Sequence, residues 1–334
     1  MARNRKGRPV HGILLLDKPS GSSSNRVLQL VKRQFQARKA GHTGSLDPLA
    51  TGMLPVCFGE ATKISAYLLD AAKGYEVTMK LGVTTDSADS DGRVLDEKTV
   101  PKTLDKAGFV RICEQYKGPI DQIPPMVSAI KIDGQRLYKL ARQGKQVERP
   151  SRSVTIYALD VLSFDSDVAT LYVHCSKGTY IRSLVTDIGQ AIGCGAHVTA
   201  LRRLFVAPFN HHTMIDVPSL EAKAPQINEE AAAADASSWQ ALDATLLPVD
   251  SALEHLSSVF VKPGCESAFA IGQSVHGYAN HSGSGAANGV DSPVCRVYSQ
   301  AGQLLGLGNR ESNASASEGD RSILVSPRRV FQWH

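Results

Sequence analysis

The sequence predicts an α+β fold, with a mixed, largely antiparallel sheet domain followed by a small β-rich C-terminal domain. Three observations lead there. Segments of strand and helix patterning alternate irregularly, without the regular cycle of a doubly wound or barrel architecture. After about residue 257 the chain changes to short apolar segments separated by Gly/Ser/Asn-rich stretches. A length of 334 residues also exceeds what one hydrophobic core usually organises.

Residues 1–9 read as a flexible basic arm. Gly12 to Leu16 is a continuous apolar run that predicts a buried strand, closed by the turn Lys18-Pro19-Ser20-Gly21. Ser22, Ser23 or Ser24 can cap the next helix, in which Val27, Leu28, Leu30, Val31 and Phe35 recur at helical spacing. A Gly-rich turn from Gly41 to Gly52 precedes the apolar segment Met53 to Phe58. Glu60 to Leu69 has helical character, and Tyr75 to Val83 alternates as a strand does. Asp86 to Gly92 is a polar loop, Leu104 to Tyr116 a helix, and Arg136 to Arg142 a short basic helix. Val154–Phe164 and Val168–Cys175 pair as strands, Tyr180–Ile192 is helical, and Val198–Val206 is an apolar-basic segment. The acidic, Ala-rich stretch 224–240 reads as an insertion or linker, which places the domains at 10–256 and 257–334.

Hydrophobic residues make up 42% of the chain, yet no apolar run approaches the roughly 18 residues of a membrane span. The basic start, Met1 to Arg8, lacks the following apolar stretch of a secretory signal, so a cytoplasmic protein is expected. Cys57, Cys113, Cys175, Cys194, Cys265 and Cys295 are scattered without a CxxC pair. They suit buried thiols better than a disulfide frame or a zinc site. Net charge is only +5, but it is segregated. Ten Lys/Arg and one acid, Asp17, precede Asp47. Seven Lys/Arg face two acids between Lys131 and Arg152, and six acids with no Lys or Arg lie between Ala224 and Val261. Such a pattern fits a polyanion-binding face beside a separate acidic surface.

The segment Gly41-His-Thr-Gly-Ser-Leu-Asp-Pro-Leu-Ala-Thr-Gly52 carries the clearest chemical signal. Three glycines and a proline surround one carboxylate, Asp47, on a sharply turning backbone that presents the side chain. The alternative is an Asx-turn, in which Asp47 bonds its own backbone. A phosphate cradle is excluded, because GxxxxGK[ST] is absent. Asp86 to Gly92 superficially suits a calcium loop, but the twelfth position falls on Lys98, where a chelating Glu is required. No metal is expected.

This segment is one of five collinear motifs. The others are Asp17-Lys-Pro-Ser-Gly-Ser-Ser23, Lys73-Gly-Tyr75, Cys175-Ser-Lys-Gly-Thr-Tyr-Ile-Arg182 and His197-Val-Thr-Ala-Leu-Arg-Arg203. Together they resemble the bacterial tRNA pseudouridine-55 synthases, the TruB family, over about residues 10–222. Pro124-Pro-Met-Val-Ser-Ala-Ile-Lys131 and Leu246-Leu-Pro-Val-Asp-Ser251 resemble it too, and the end of the chain, best at Ser326-Pro-Arg-Arg-Val330, resembles a PUA-type RNA-binding module. The resemblance implies a pseudouridine-synthase catalytic domain that isomerises the T-loop uridine of tRNA with Asp47 as the essential carboxylate.

It further implies that Arg182 pairs bidentately with Asp47 and keeps it ionised, since a lone buried carboxylate drifts toward its neutral form. Tyr75 matches the family's active-site tyrosine, whose ring can stack on an extruded uracil, and Leu201 an apolar position beside the base. Lys18 and Pro19 would buttress the loop that carries Asp47. The target base must be flipped out of the folded RNA, at a cost of about a few kcal/mol. His42 resembles the residue that fills the vacated space, and Lys131, Arg136, Lys139 and Arg142 are candidates for phosphate contacts. Asp47 either adds to C6 of the base or assists departure from C1′. The isomerisation is redox-neutral, so no cofactor is implied, and a monomer acting on the tRNA T-stem-loop is the expectation.

Two other readings compete. A non-catalytic RNA-binding or RNA-folding protein explains the basic clusters but not Asp47, Tyr75 and Arg182 together. A carboxylate-dependent glycosidase explains Asp47, but normally needs a second carboxylate. Release of free uracil separates the three, because hydrolysis frees the base, isomerisation retains it, and a pure binder leaves the RNA unchanged.

Overall fold

The computed structural model of the chain describes residues 7–126, 131–132, 135–136, 147–225, 236–279, 292–311 and 322–333. The apolar run Gly12–Lys18 (β1) is buried along almost its entire length, as a strand covered on both faces requires. The helix Ser24–Gln34 (α1) follows, started by Ser23, whose side chain accepts a hydrogen bond from the Arg26 amide. Its apolar stripe, Val27, Leu28 and Val31, packs with Leu14, Leu16, Val56 and Phe58. Ala40–His42 (β2) and Thr51–Phe58 (β3) come next, and β3 runs antiparallel to β1 from Gly12↔Phe58 to Lys18↔Gly52.

After a short helix, Ser65–Asp70 (α2), the strand Lys73–Leu81 (β4) turns Tyr75, Val77, Met79 and Leu81 into the main core. A small hairpin, Val83–Thr85 (β5) and Val94–Glu97 (β6), precedes the helix Lys106–Glu114 (α3) and the strand Gly118–Gln122 (β7). Lys131–Ile132 (β8) and Gln135–Arg136 (β9) form a two-stranded pair. Arg136 therefore ends a strand, correcting the expected helical start there, and the rest of that basic segment lies outside the described residues. The long strands Arg152–Asp165 (β10) and Val168–Cys175 (β11) pair as expected. The helix Ile181–Ile192 (α4), the strand Ala196–Val206 (β12) and the short Ile215–Asp216 (β13) complete the domain.

Nine strands form one mixed sheet in the order β13-β1-β3-β12-β4-β11-β10-β7, with β2 added at β3. Helices α3 and α4 cover one face, where Phe109, Cys113, Leu184, Val185 and Ile188 pack against the inward residues of β4 and β11. The fold is α+β, as the irregular alternation predicts. Gly7 and Arg8 lie against the body of the domain. Arg8 bridges to Ala37, pairs with Asp243 and sits 3.9 Å over the Trp239 ring. Within 224–240, Ala236–Trp239 and Gln240–Asp243 form short helical turns, and residues 226–235 lie outside the described residues.

The C-terminal strands Ser257–Val261 (β14), Val275–Ala279 (β15), Val294–Tyr298 (β16), Leu304–Glu311 (β17) and Ser322–Val330 (β18) close into a small barrel in the order β14-β15-β18-β17-β16. The barrel shares a core with the first domain, in which Tyr298, Leu304, Leu307 and Phe331 meet Ile13, Leu15, Met53 and Leu256. Polar contacts fasten the same boundary. The Tyr298 hydroxyl donates to Asp250 at 2.6 Å, Lys63 donates to the Val330 carbonyl at 2.8 Å, and the Gln332 amide donates to Glu60 at 2.8 Å. Five cysteines are buried, Cys265 is partly so, and none forms a disulfide.

Strands β3 and β12 run parallel where Arg203 lies beside Gly52. Gly52 has φ +95°, and a Cβ there would fall 2.2 Å from the Arg203 carbonyl oxygen. Both the left-handed backbone and the close approach demand glycine. Gly52→Ala is expected to destabilise the protein by about 2 kcal/mol or more, read as a lower urea midpoint. An unchanged midpoint would contradict this packing.

Candidate active site

The bend between β2 and β3 is fastened from three sides before it presents any chemistry. Ser24, at the start of α1, accepts from the Leu46 amide at 2.8 Å and donates to the Leu46 carbonyl at 3.0 Å. Lys18 is fully buried, and its ammonium donates to the carbonyls of Ser22, Pro19 and Pro48 at 2.6, 2.7 and 3.3 Å. The Gly21 amide donates to the same Pro48 carbonyl at 2.9 Å, and the Ala50 amide donates to the Asp47 carbonyl at 3.1 Å. Lys18 thus touches the bend by a hydrogen bond at Pro48, while the Pro19 carbonyl only accepts from Lys18. Arg203 holds the far end, donating to the Gly44 carbonyl at 2.9 Å.

From this fixed backbone the Asp47 carboxylate reaches Arg182 instead of closing an Asx-turn, with Nε 3.0 Å from Oδ2. Arg182 lies in the first turn of α4, and its side chain is only 4% exposed against 41% for Asp47. Arg182 Nη1 also donates to Asp89 at 3.2 Å and to the Ser87 carbonyl at 2.8 Å. A buried guanidinium needs acceptors around its whole planar edge, and one carboxylate cannot supply them.

Asp89 is the principal residue that sequence reasoning missed. The loop Asp86–Gly92, read as polar surface, is pinned to β12 by Ser90 N donating to the Val198 carbonyl at 2.9 Å and Val198 N donating to the Ala88 carbonyl at 3.1 Å. That docking buries Asp89, whose other oxygen accepts from the Ser87 hydroxyl at 2.5 Å. Helix α4 is anchored at its start by the buried Gln122, which donates to the Tyr180 carbonyl at 3.2 Å and accepts from the Tyr180 amide at 3.0 Å.

Tyr75 on β4 and Leu201 on β12 are buried in the same cluster as Leu46, the neighbour of Asp47. The register sets Leu201 opposite Val77 and Arg203 opposite Tyr75, so all four face one side of the sheet. Burial raises the Asp47 pKa above the ordinary carboxylate value. Arg182 and Lys18 oppose that rise, while Asp89 and Asp91 add to it. Arg182 therefore limits the drift toward the neutral acid without cancelling it. Burial also raises the Tyr75 phenol and lowers Lys18 to about 8. His42 on β2 is lowered by burial and by Arg203, and its Nδ1 is buried with no hydrogen-bond partner among the described residues. Lys131 and Arg136 lie on the separate β8–β9 pair, while Lys139 and Arg142 lie outside the described residues.

Known proteins share this arrangement of chain. Residues 32–181 match the TruB family pseudouridylate synthase N-terminal domain, and residues 182–254 match the tRNA pseudouridylate synthase B C-terminal domain. The chain is 46% identical to tRNA pseudouridine synthase B of Coxiella burnetii (strain Dugway 5J108-111) over 325 residues, covering 97% of this chain and 96% of that protein. It is 52% identical to tRNA pseudouridine synthase B of Aeromonas salmonicida (strain A449) over 261 residues, covering 78% and 80%. Among solved structures, a chain of a Cbf5-Nop10-Gar1 complex superposes with a TM-score of 0.69 at 25% identity, covering 99% of this chain and 91% of that one.

The Arg182–Asp89 pair is buried on both sides, at 4% and 5% side-chain exposure. Removing one member of such a pair leaves an uncompensated charge and costs about 3–5 kcal/mol. Asp89→Ala is expected to lose stability of that order in chemical denaturation. A loss under about 1 kcal/mol would show the pair to be solvated like a surface bridge.

Proposed function

Because the chain belongs to the TruB family of pseudouridylate synthases, we infer that it isomerises uridine to pseudouridine in tRNA. The observation that carries the reading is Asp47 on a fixed bend, half-open to solvent, with a buried guanidinium behind it. The finer proposal is that the target is the T-loop uridine at position 55, bound as the tRNA T-stem-loop by a cytoplasmic monomer.

The reaction breaks an N–C glycosidic bond and rejoins the same uracil through carbon, with loss of a proton from C5. A stacked uridine is out of reach, so the nucleotide must first be everted. Asp47 is then the reacting carboxylate, at C6 of the base or at C1′ of the sugar, and both routes need it ionised. Arg182 supports that ionised form and fixes its direction, with Nε 3.0 Å from Oδ2. Tyr75 and Leu201 give the base an aromatic and an aliphatic wall, and the apolar cluster behind them keeps water from the reacting atoms. His42, neutral because burial lowers its pKa, is suited to fill the space an everted base leaves in the RNA. Lys131, Arg136, Lys139 and Arg142 are assigned to phosphate contacts. The chemistry is redox-neutral, so neither nicotinamide nor flavin is called for.

Two outcomes test the reading. Asp47→Asn is expected to bind unmodified tRNA transcript like the unaltered protein and to lose pseudouridine formation by at least about a thousandfold. Substantial retained turnover would remove Asp47 from the chemistry. The second concerns pH. Since burial raises the Asp47 pKa and only its ionised form reacts, turnover should fall with acidification through an apparent pKa above 3.8. An acid limb at or below that value would mean that the neighbouring cations outweigh burial.

A further inference from the structure

The turn between β5 and β6 is built around one hydroxyl. Ser87 Oγ donates to Asp89 Oδ1 at 2.5 Å, and the Asp91 amide donates to that same oxygen at 3.2 Å. A Cβ on Gly92 would fall 2.2 Å from Ser87 Oγ, so the chain carries no side chain where the hydroxyl sits. Thr85 Oγ1 donates to the Asp89 carbonyl at 2.7 Å. Ala88, between Ser87 and Asp89, takes φ +61°, a left-handed backbone that a side chain disfavours. The turn so formed brings the Ser87 carbonyl and Asp89 Oδ2 to one nitrogen, Arg182 Nη1, at 2.8 and 3.2 Å.

Ser87 therefore meets Arg182 twice, directly through its backbone and indirectly through Asp89. The backbone contact asks for no particular side chain, but the hydroxyl contact does. A carboxylate turns easily about its last bond unless its oxygens are engaged. An O–H···O contact of 2.5 Å to an anion lies in the short, charge-assisted range. Oδ1 is thus taken by the loop, and Oδ2 is the oxygen that faces the guanidinium. Arg182 stands between two carboxylates, Asp89 at Nη1 and Asp47 at Nε. Its fork is planar and rigid, so fixing one edge fixes the other.

We propose that Ser87 is a positioning residue, whose hydroxyl locks the Asp89 carboxylate and through it sets the plane in which Arg182 holds Asp47. The inference deepens the functional reading above and rests on it. No proton is transferred in the Ser87–Asp89 contact, and Ser87 acts on the substrate only through Asp89 and Arg182. Loss of the hydroxyl is accordingly felt in the chemical step and not in the affinity for tRNA.

The test is the single-turnover rate of pseudouridine formation on unmodified tRNA transcript, measured beside the Kd for the same RNA. Ser87→Ala is expected to slow the step about fivefold or more, with Kd within about twofold. Ser87→Thr keeps a hydroxyl on the same carbon and should stay within about threefold of the natural rate. A smaller loss in Ser87→Ala, an equal loss in Ser87→Thr, or a loss confined to Kd overturns the proposal. A double-mutant cycle adds a second readout. In the Asp89→Asn background, Ser87→Ala should change the rate by less than about twofold, because the anion it acts through is gone. Multiplicative losses there overturn the proposal and leave the hydroxyl a brace for the turn alone. Should Asp89→Asn fail to fold, the comparison of Ser87→Ala with Ser87→Thr decides by itself. If the unaltered protein forms no pseudouridine, the functional reading itself fails. An unimpaired Ser87→Ala with natural turnover intact defeats the Ser87 inference alone.

Discussion

A buried guanidinium has to find an acceptor for nearly every N–H it carries, and Arg182 imposes that condition on two parts of the chain besides its own helix. Its planar edge meets Asp47 from the bend, and Asp89 and the Ser87 carbonyl from the loop after β5. None of these partners is near it in sequence. The loop must therefore dock on β12, the bend must be tied to α1 and β1, and the start of α4 must be clamped by Gln122. A slip of any one would strand a charge in a water-poor interior, where an unpaired ion costs several kcal/mol. The geometry of the site and the stability of the sheet's centre are consequently one problem.

The two buried arginines solve opposite electrostatic tasks. Arg182 is matched by two carboxylates, and its charge is spent locally. Arg203 is matched by carbonyls alone, so its field extends outward and lowers the pKa of His42, with burial the larger cause. It depresses Lys73 in the same way, to about 8. Asp47 works against that trend at Lys18. At Asp47 itself, Arg182 and Lys18 favour the carboxylate against burial, Asp89 and Asp91, and the side chain keeps 41% of its surface exposed.

Much of this was readable in the sequence where local pattern and final burial agree. The apolar run at Gly12 to Leu16, the alternation from Tyr75 onward and the glycine-rich bend around Asp47 each state their own role. Asp89 did not, because an aspartate in an Asp/Ser/Gly loop is ordinarily solvated, and its burial comes from bridges to Val198 that no local pattern displays. Arg203 was masked by Arg202, since two adjacent arginines suggest a charged surface. In a strand, however, neighbours point to opposite faces. With Leu201 directed inward, Arg203 two residues on must share its side, so the spacing of Leu201 and Arg203 held a signal that charge counting hid.

The barrel makes its contribution through rigidity. Its core is continuous with that of β1 and β3, and the segment Phe331–Trp333 returns to the first domain, with Trp333 against His11 and Gln332 bonded to Glu60. Interdomain boundaries that are mostly polar slide easily, but one with a shared apolar core resists. An RNA held by both domains could then not be accommodated by hinge motion at this boundary, and the deformation would fall on the RNA. That is the useful direction for the proposed reaction. The few kcal/mol needed to evert a base must come from phosphate contacts, and contacts on a yielding frame would relax instead of pulling the nucleotide toward Asp47.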